Sequence, residues 1–426
     1  MQHTDLRNSS LFRQAGWRII PLLIVCYMFS YLDRINISFA RLQMETDLGF
    51  SDATFGLGAG LFFVGYIVFQ VPASIVLKRL GARRTIAGIM IAWGVISFMF
   101  AFVNRAGVFC ALRVLLGIAE AGFFPSVLFY LGIWFPQRML GRVTSWFLVA
   151  IPFSGAIGGP ISALILERMS HSTYMAGWKW MFLIEALPPI LFGVIVLARL
   201  DDGPQTARWL TPAQRDEIVS ALRPSNTGSM PADNGIFSVL RQRVVRIMIV
   251  ICFCQAVCNY GIVFWIPTLV AQVVHTTPAT IGFYTAIPFL ASIAVMTLNA
   301  WSSDRHAERR WHLAIPLATV AASLVAGFFL QSYGLVALCL LSVALAATLC
   351  VTSMIFTLPG LFLRESELGS GLAWINSLGA LGGLLGPYGI GWMRDHLANP
   401  MAGLLLVAAC ALMGAAVTLL LPVHRN

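Results

Sequence analysis

Five ionisable side chains interrupt the apolar blocks of this sequence: Asp33, Arg34, Arg113, Glu120 and Glu185. Asp33 and Arg34 stand side by side in "FSYLDRINISFA", and Arg113 and Glu120 share "RVLLGIAEAGFFPS". Seven residues turn a helix almost twice, so Arg113 and Glu120 fall on one face about 10 Å apart along the axis. Gly117 lies between them and is expected to leave space beside the backbone. A charge near the centre of a membrane-spanning helix costs ~3 kcal/mol on insertion scales, so each needs a reason. Carboxylates take up and release protons, and an arginine offers a planar, permanently charged fork suited to a carboxylate ligand. Two acids and two bases also neutralise one another if their helices are neighbours. Apolar packing holds helices together as well as buried ion pairs do, so the quartet reads as a functional site. Glu185, in "WMFLIEALPPILFG" beside Trp178 and Trp180, reads as an interfacial structural residue.

These residues sit in a chain of 426 residues that is 58% hydrophobic and 11% charged, with a mean hydropathy of +0.81. A soluble domain needs roughly a quarter of its residues charged. The apolar blocks are about twenty residues long, enough to cross a ~30 Å hydrocarbon core as helices. The first block lacks a small-residue cleavage site and ends on charges, so it is expected to be a retained helix and not a signal peptide. Cys252, Cys254 and Cys258 lie on an apolar helix without a nearby His or acid, so they read as small hydrophobes and not as a metal site.

Twelve spans are predicted near 17–40, 53–77, 85–103, 107–135, 141–166, 179–199, 244–273, 279–301, 311–331, 333–360, 367–393 and 401–422. Of the 28 Lys and Arg, 21 fall in the tails and loops on one side and five on the other. Arg34 and Arg113 remain in the membrane. The positive-inside rule then places both termini in the cytoplasm, which turns the net charge of +10 into an orientation signal and argues against nucleic acid. The polar stretch 200–243 divides the chain into an N-terminal bundle, 1–199, and a C-terminal bundle, 244–426, each of six helices.

The halves repeat one another. "KRLGARR" after the second span answers "DRHAERR" after the eighth, aligning Arg79 and Arg83 with Arg305 and Arg309. "GAIGGP" from Gly155 answers "GGLLGP" from Gly382 at nearly the same offset, as Arg138 answers Arg364. Duplicated six-helix units are a known build for secondary transporters, with the substrate site between the halves. The chain resembles the major facilitator superfamily on these landmarks. The resemblance implies an all-α fold of twelve transmembrane helices in two pseudo-symmetric bundles, with Arg79, Arg83, Asp304, Arg305 and Arg309 in its conformational loops. Lys78 stands where that signature usually has an acid.

"YLDRINISFA", "RVLLGIAEAGFFP" and "GWKWMFLIEALPP" resemble, more narrowly, the anion:cation symporter family of proton-coupled organic-anion permeases. Matching motif by motif implies proton-coupling roles for Asp33 and Glu120, and a substrate-carboxylate role for Arg34. It also implies that Arg113 pairs with the acid of the fourth span and belongs to the substrate-binding set. Tyr31 and Tyr66 match aromatic positions facing the cavity, and Asn376 a helix-eleven amide. The second half is expected to supply an opposite wall from Trp265 and Asn376, with Tyr260, Asn259, Trp374 and Ser377 as further candidates. The implied activity is proton symport of a small organic carboxylate by a monomer in a bacterial inner membrane, without cofactor or metal. An anion-exchanging antiporter or a proton-driven exporter of the same fold is the alternative. Against the antiporter, the second half carries no intramembrane Lys or Arg; against the exporter, Ile161 to Leu164 replace the expected glycines. A sensor lacks an output domain, and an intramembrane enzyme lacks any HExxH or GxSxG constellation.

Overall fold

A computed structural model describes residues 2–222, 238–306, 308–355, 358–397, 399 and 401–422. The Ser/Pro/Gly-rich part of the predicted linker, 223–237, lies outside the described residues, as do Arg223 and Arg425 of the charge count. The first three spans are α1 (Gln2–Leu48), α2 (Asp52–Leu80) and α3 (Ala82–Met99). The fourth comprises α4 (Ala106–Glu120) and α5 (Phe123–Trp134), the fifth α6 (Gln137–Leu148) and α7 (Ala150–Met169), and the sixth α8 (Gly177–Arg199). A short helix, α9 (Pro212–Leu222), occupies the polar segment. The second half contains α10 (Arg243–Val274), α11 (Pro278–His306), α12 (Arg310–Phe329) and α13 (Gly334–Ile355). It ends with the short α14 (Pro359–Phe362), then α15 (Glu365–Ala380), α16 (Gly382–His396) and α17 (Gly403–Thr418). Among the described residues ten helices are long and apolar enough to cross a bilayer. The paired α15 and α16 and the shorter apolar α17 make up the remaining two spans of the twelve-helix bundle pair.

Departures from the expected boundaries have local causes. α1 runs past the expected 17–40 at both ends and stops at Gly49, whose φ of +65° suits a glycine helix terminus. Gly81, with φ +78°, likewise separates α2 from α3. The fourth span breaks just after Glu120, where Pro125 cannot donate to the carbonyl of Ala121. The fifth breaks at Val149, and there Pro152 withholds a donor from Leu148. At the eleventh, the amides of Leu384 and Leu385 share the carbonyl of Leu381.

Small residues let the helix backbones approach closely, the usual packing device between helices in lipid. α2 and α4 meet where a Cβ at Gly65 would strike the Val114 carbonyl and one at Gly117 the Phe62 carbonyl. The space expected beside Gly117 is therefore filled by the backbone of α2. The two halves touch through α2 against α16 and α7 against α11. Gly56 lies on the Pro387 carbonyl, Gly391 on that of Asp52, and Gly282 on Gly159 and Pro160. These contacts lie toward the end of the bundle remote from the termini, called the distal face below.

Gly117→Val should destabilise the protein by ~1–3 kcal/mol through overpacking against α2. Gly88→Val, where a Cβ meets nothing within 4 Å, should leave the melting temperature nearly unchanged. Thermal unfolding of both variants in detergent checks the pair; equal shifts would remove the close α2–α4 contact as the cause.

Candidate functional site

Tyr27, Tyr31 and Arg34 recur at helical spacing on α1 and line one side of a cavity of about 100 Å³. Gln255, Asn259 and Tyr260 on α10 line the other side, with Asn376 on α15 and Tyr66 on α2. Arg34 is 8% exposed and Glu120 1%. Nη2 of Arg34 pairs with Oε2 of Glu120 at 2.7 Å, and the Ser30 hydroxyl donates to the same oxygen at 3.1 Å. Nη1 of Arg34 donates to the Tyr260 hydroxyl at 3.4 Å. The guanidinium carbon lies 4.9 Å from the Phe62 ring centre and 5.5 Å from that of Tyr66, both within cation–π range. Among the described residues, Nε of Arg34 and Oε1 of Glu120 are buried without a hydrogen-bond partner. Each of these atoms can take a further hydrogen-bond partner.

Asp33 faces elsewhere, since adjacent residues differ by ~100° around a helix. Its Oδ1 accepts from the Ser97 hydroxyl at 2.8 Å and from the Asn36 amide at 3.3 Å. The same Asn36 amide donates to Glu185 at 3.0 Å, and Ser162 donates to the other Glu185 oxygen at 2.6 Å. Glu185 is thus a buried member of the Asp33 network, and the expected interfacial position is corrected. Its eight-residue distance from Gly177, the first residue of α8, places it two turns inside the span.

Arg113 does not pair with Glu120, although the family resemblance implies that it does. The two are too far apart along the helix, and α2 offers nearer acceptors. Arg113 Nε donates to the Gly58 carbonyl at 3.2 Å and Nη2 to that of Ala59 at 3.1 Å. Among the described residues the ion-pair partner of Glu120 is Arg34. Trp265 lies outside the cavity lining, fully buried toward the distal face, with Nε1 donating to the Pro387 carbonyl at 3.2 Å.

There two guanidiniums lie near the Trp265 ring, Arg41 at 4.4 Å and Arg394 at 5.1 Å from its centre. Both arginines pair with Asp52, Arg394 at 2.7 Å, and Arg41 also donates to Thr268 at 2.6 Å. Asp395 accepts from the amides of Asp52 and Ala53 at 3.1 and 2.8 Å, capping α2 from the other half. Glu167 accepts from the Ala279 amide at 2.8 Å and caps α11 in the same way. A carboxylate at a helix N-terminus satisfies unpaired amides and meets the positive end of the dipole. Ala53 and Ala279 are 226 positions apart, the spacing of the sequence repeat, so one latch is the pseudo-symmetric copy of the other. Arg41, Asp52, Arg394 and Asp395 had no signal in the sequence beyond their charge, because their partners lie in other helices.

On the opposite face, Arg83 donates to the Leu197 carbonyl at 3.0 and 2.6 Å and faces Asp202 at 3.6 Å. Asp202 comes from the polar segment and meets the arginine although Lys78 occupies the signature's acid position. Arg309 pairs with Asp304 and donates to Ser303 at 2.8 Å, while Arg305 lies 5.3 Å over Trp301. Arg79 stands in the last turn of α2, exposed.

The fold and the buried charges together define a polytopic membrane transporter. Residues 23–387 match the sequence profile of the Major Facilitator Superfamily, and the chain belongs to that family. It is 39% identical, over 98% of its length and 92% of the relative's, to an Agrobacterium vitis protein named as a tartrate transporter. It is 36% identical to the metabolite transport protein NicT of Pseudomonas putida, over 99% and 97% of the two chains. A quinolone resistance transporter of Acinetobacter baumannii is 32% identical over 96% and 94%. Among solved structures, a bacterial homologue of the lysosomal transporter Spinster, inward-facing and unoccupied, superposes with a TM-score of 0.78 at 14% identity, covering 96% of each chain. The D-xylose-proton symporter superposes with a TM-score of 0.75 at 16% identity, covering 94% and 97%. These agree with the resemblance carried by the motifs, and the protein is a transporter and not an enzyme.

Asp52→Asn should loosen the distal closure, because Arg41 and Arg394 both lose their shared carboxylate. In a background without native cysteines, Gln255→Cys should then react several-fold faster with a membrane-impermeant maleimide added from the distal face. An unchanged rate would mean that Asp52 does not hold that face shut.

Proposed function

We propose that the protein imports a small organic carboxylate (a sugar acid, hydroxy acid or aromatic acid) by proton symport with alternating access. The observation that carries this reading is the ion pair between Arg34, which lines the cavity, and Glu120, buried behind it. Arg34 is permanently charged, so the protonation of its partner sets the charge of the site. With Glu120 ionised, the guanidinium is neutralised and an anion gains little by binding. A proton on Glu120 leaves the fork uncompensated, and the substrate carboxylate takes its place. Proton and substrate then favour one another's binding by linkage. The unpartnered Nε of Arg34 supports this, since the fork keeps a donor for a second oxygen.

In this reading Asp33, joined to Glu185 through Asn36, is the second proton carrier. Tyr31, Tyr66 and Asn376 contact the anion. Arg113 positions the fourth span against α2, and Trp265 belongs to the gate. The halves 1–199 and 244–426 rock about the cavity, joined by 200–243, in a bacterial inner membrane, and the charge bias supports cytoplasmic termini. The closed distal latches support an inward-facing state, as does the likeness to the inward-facing Spinster homologue. One chain builds the whole cavity, which supports a monomer. The relative named for tartrate favours a hydroxy diacid. The relative named for quinolone resistance, with the aromatic wall of Tyr27, Phe63, Tyr66 and Phe124, supports proton-driven export as a second reading.

Uptake into proteoliposomes with and without an inward proton gradient, over sugar acids, tartrate-like diacids and aromatic acids, separates these readings. Gradient-dependent accumulation of one class supports symport, whereas gradient-driven depletion supports export. Glu120→Gln should lose accumulation but retain counterflow exchange; normal accumulation would remove Glu120 from coupling. Arg34→Lys should weaken substrate binding by ~10-fold or more, because a point charge cannot reproduce a charge-assisted fork worth about 1.5–3 kcal/mol. Unchanged affinity would place the carboxylate elsewhere.

A further inference from the structure

A cavity of about 720 Å³ opens at the face that carries the termini. It lies between the start of the first span, the ends of α5 and α8, and the polar segment that follows α8. We propose that this cavity binds the phosphate headgroup of an anionic phospholipid.

Three guanidiniums converge on it: Arg18, Arg199 and Arg208. All three are exposed, and none forms an ion pair among the described residues. The neighbouring basic groups are already engaged, Arg83 by Leu197 and Asp202, and Arg215 by the Ala207 carbonyl. Among the described residues Asp201 is the single carboxylate in the lining, which leaves an excess of positive charge there. Arg18 is held by a ring and not by an acid: its guanidinium carbon lies 5.0 Å over Trp209, which stacks on Trp134 at 5.7 Å and 12°. The Tyr130 hydroxyl donates to the Asp201 carbonyl at 2.8 Å and fixes the segment that roofs the cavity. Arg18 is therefore oriented before any ligand arrives, which lowers the entropy lost on binding.

The depth of the site selects a lipid over a free anion. Arg18 immediately precedes the apolar run of the first span, and Arg199 is the last residue of α8. Both mark the boundary of the hydrocarbon, where headgroup phosphates lie. Below them the lining turns apolar through Ile19, Pro21, Leu22 and Ile195, a floor suited to the first carbons of acyl chains. Basic pockets between spans at the membrane surface bind anionic headgroups, and Arg forks match phosphate oxygens in pairs. A choline or ethanolamine headgroup carries its own cation into three guanidiniums and is disfavoured. The site shares no residue with the transport cavity, so this proposal stands apart from the symport reading.

The test is native mass spectrometry and thermal unfolding of the delipidated full-length protein with phosphatidylglycerol, phosphatidylcholine or millimolar inorganic phosphate. Phosphatidylglycerol should remain bound and raise the melting temperature, and raised salt should weaken both effects. The double variant Arg18→Gln/Arg208→Gln should lose the bound lipid and the shift, while Arg84→Gln, a basic residue of the same face outside this cavity, should retain both. Equal retention of phosphatidylcholine, or an equal loss in Arg84→Gln, would overturn the proposal by reducing it to general surface charge. A shift produced by inorganic phosphate alone would overturn it by assigning the cavity to a soluble anion. Because the control variant and the lipid comparison use the same folded protein, misfolding of the double variant would be read directly from its melting temperature without lipid. In that event Arg199→Gln replaces it, with the same outcomes.

Discussion

A permanently charged guanidinium in an apolar interior demands a counter-charge, and Arg34 obtains it from Glu120. Removing one partner from such a pair leaves an uncompensated buried charge at a cost of about 3–5 kcal/mol, so the first and fourth spans are bound to each other's position. Their arrangement follows from that need. Ser30 sits one turn before Arg34 on α1 and donates to the same carboxylate. Glu120 ends α4 just before the break set by Pro125, and Gly117 one turn earlier brings α2 close. Arg113 then ties α4 to the carbonyls of α2 instead of competing for the acid. The result is a neutral pair whose arginine lines the cavity, with one donor and one acceptor unsatisfied among the described residues.

At the distal face the two halves are closed against each other. That closure is built twice. Asp395 caps α2 and Glu167 caps α11, each from the opposite half. Asp52 adds a charged clasp between Arg41 and Arg394, and both guanidiniums pack near the Trp265 ring. The duplication has a physical consequence: equivalent elements meet across the pseudo-two-fold axis. Arg34 reaches Tyr260, which is 226 positions away. One half contributes charge and the other a hydroxyl at corresponding places, so the symmetric scaffold encloses an asymmetric site.

Charge elsewhere in the molecule is distributed by the same solvent rule. Arginines at the ends of the spans remain in water or at headgroup depth, and those near the termini cluster around rings and carbonyls more than around acids. Arg18 over Trp209 and Arg305 over Trp301 are both of this kind. An aromatic neighbour orients a guanidinium without cancelling its charge, which leaves it available to an anion at the membrane surface.

The twelve spans, the division into two repeating halves and the membrane class were legible in the sequence, because bilayer thickness and solvation act on every span separately. The five intramembrane charges were legible for the same reason, as was the grouping of Tyr31, Arg34, Tyr66 and Asn376 once the motifs were matched. Which acid meets which arginine was decided only in three dimensions. Helical spacing put Arg113 and Glu120 on one face, but ion pairing needs contact distance, and the contact belongs to Arg34. Glu185 counted as interfacial in one dimension and became buried through Asn36 and Ser162, residues on two other helices. Trp265 was recognisable as a large aromatic of the second half, yet its place beneath the distal clasp depends on Arg41 and Arg394, 224 and 129 positions away. Local physics fixes which groups enter the membrane; only packing between distant helices decides what each of them touches.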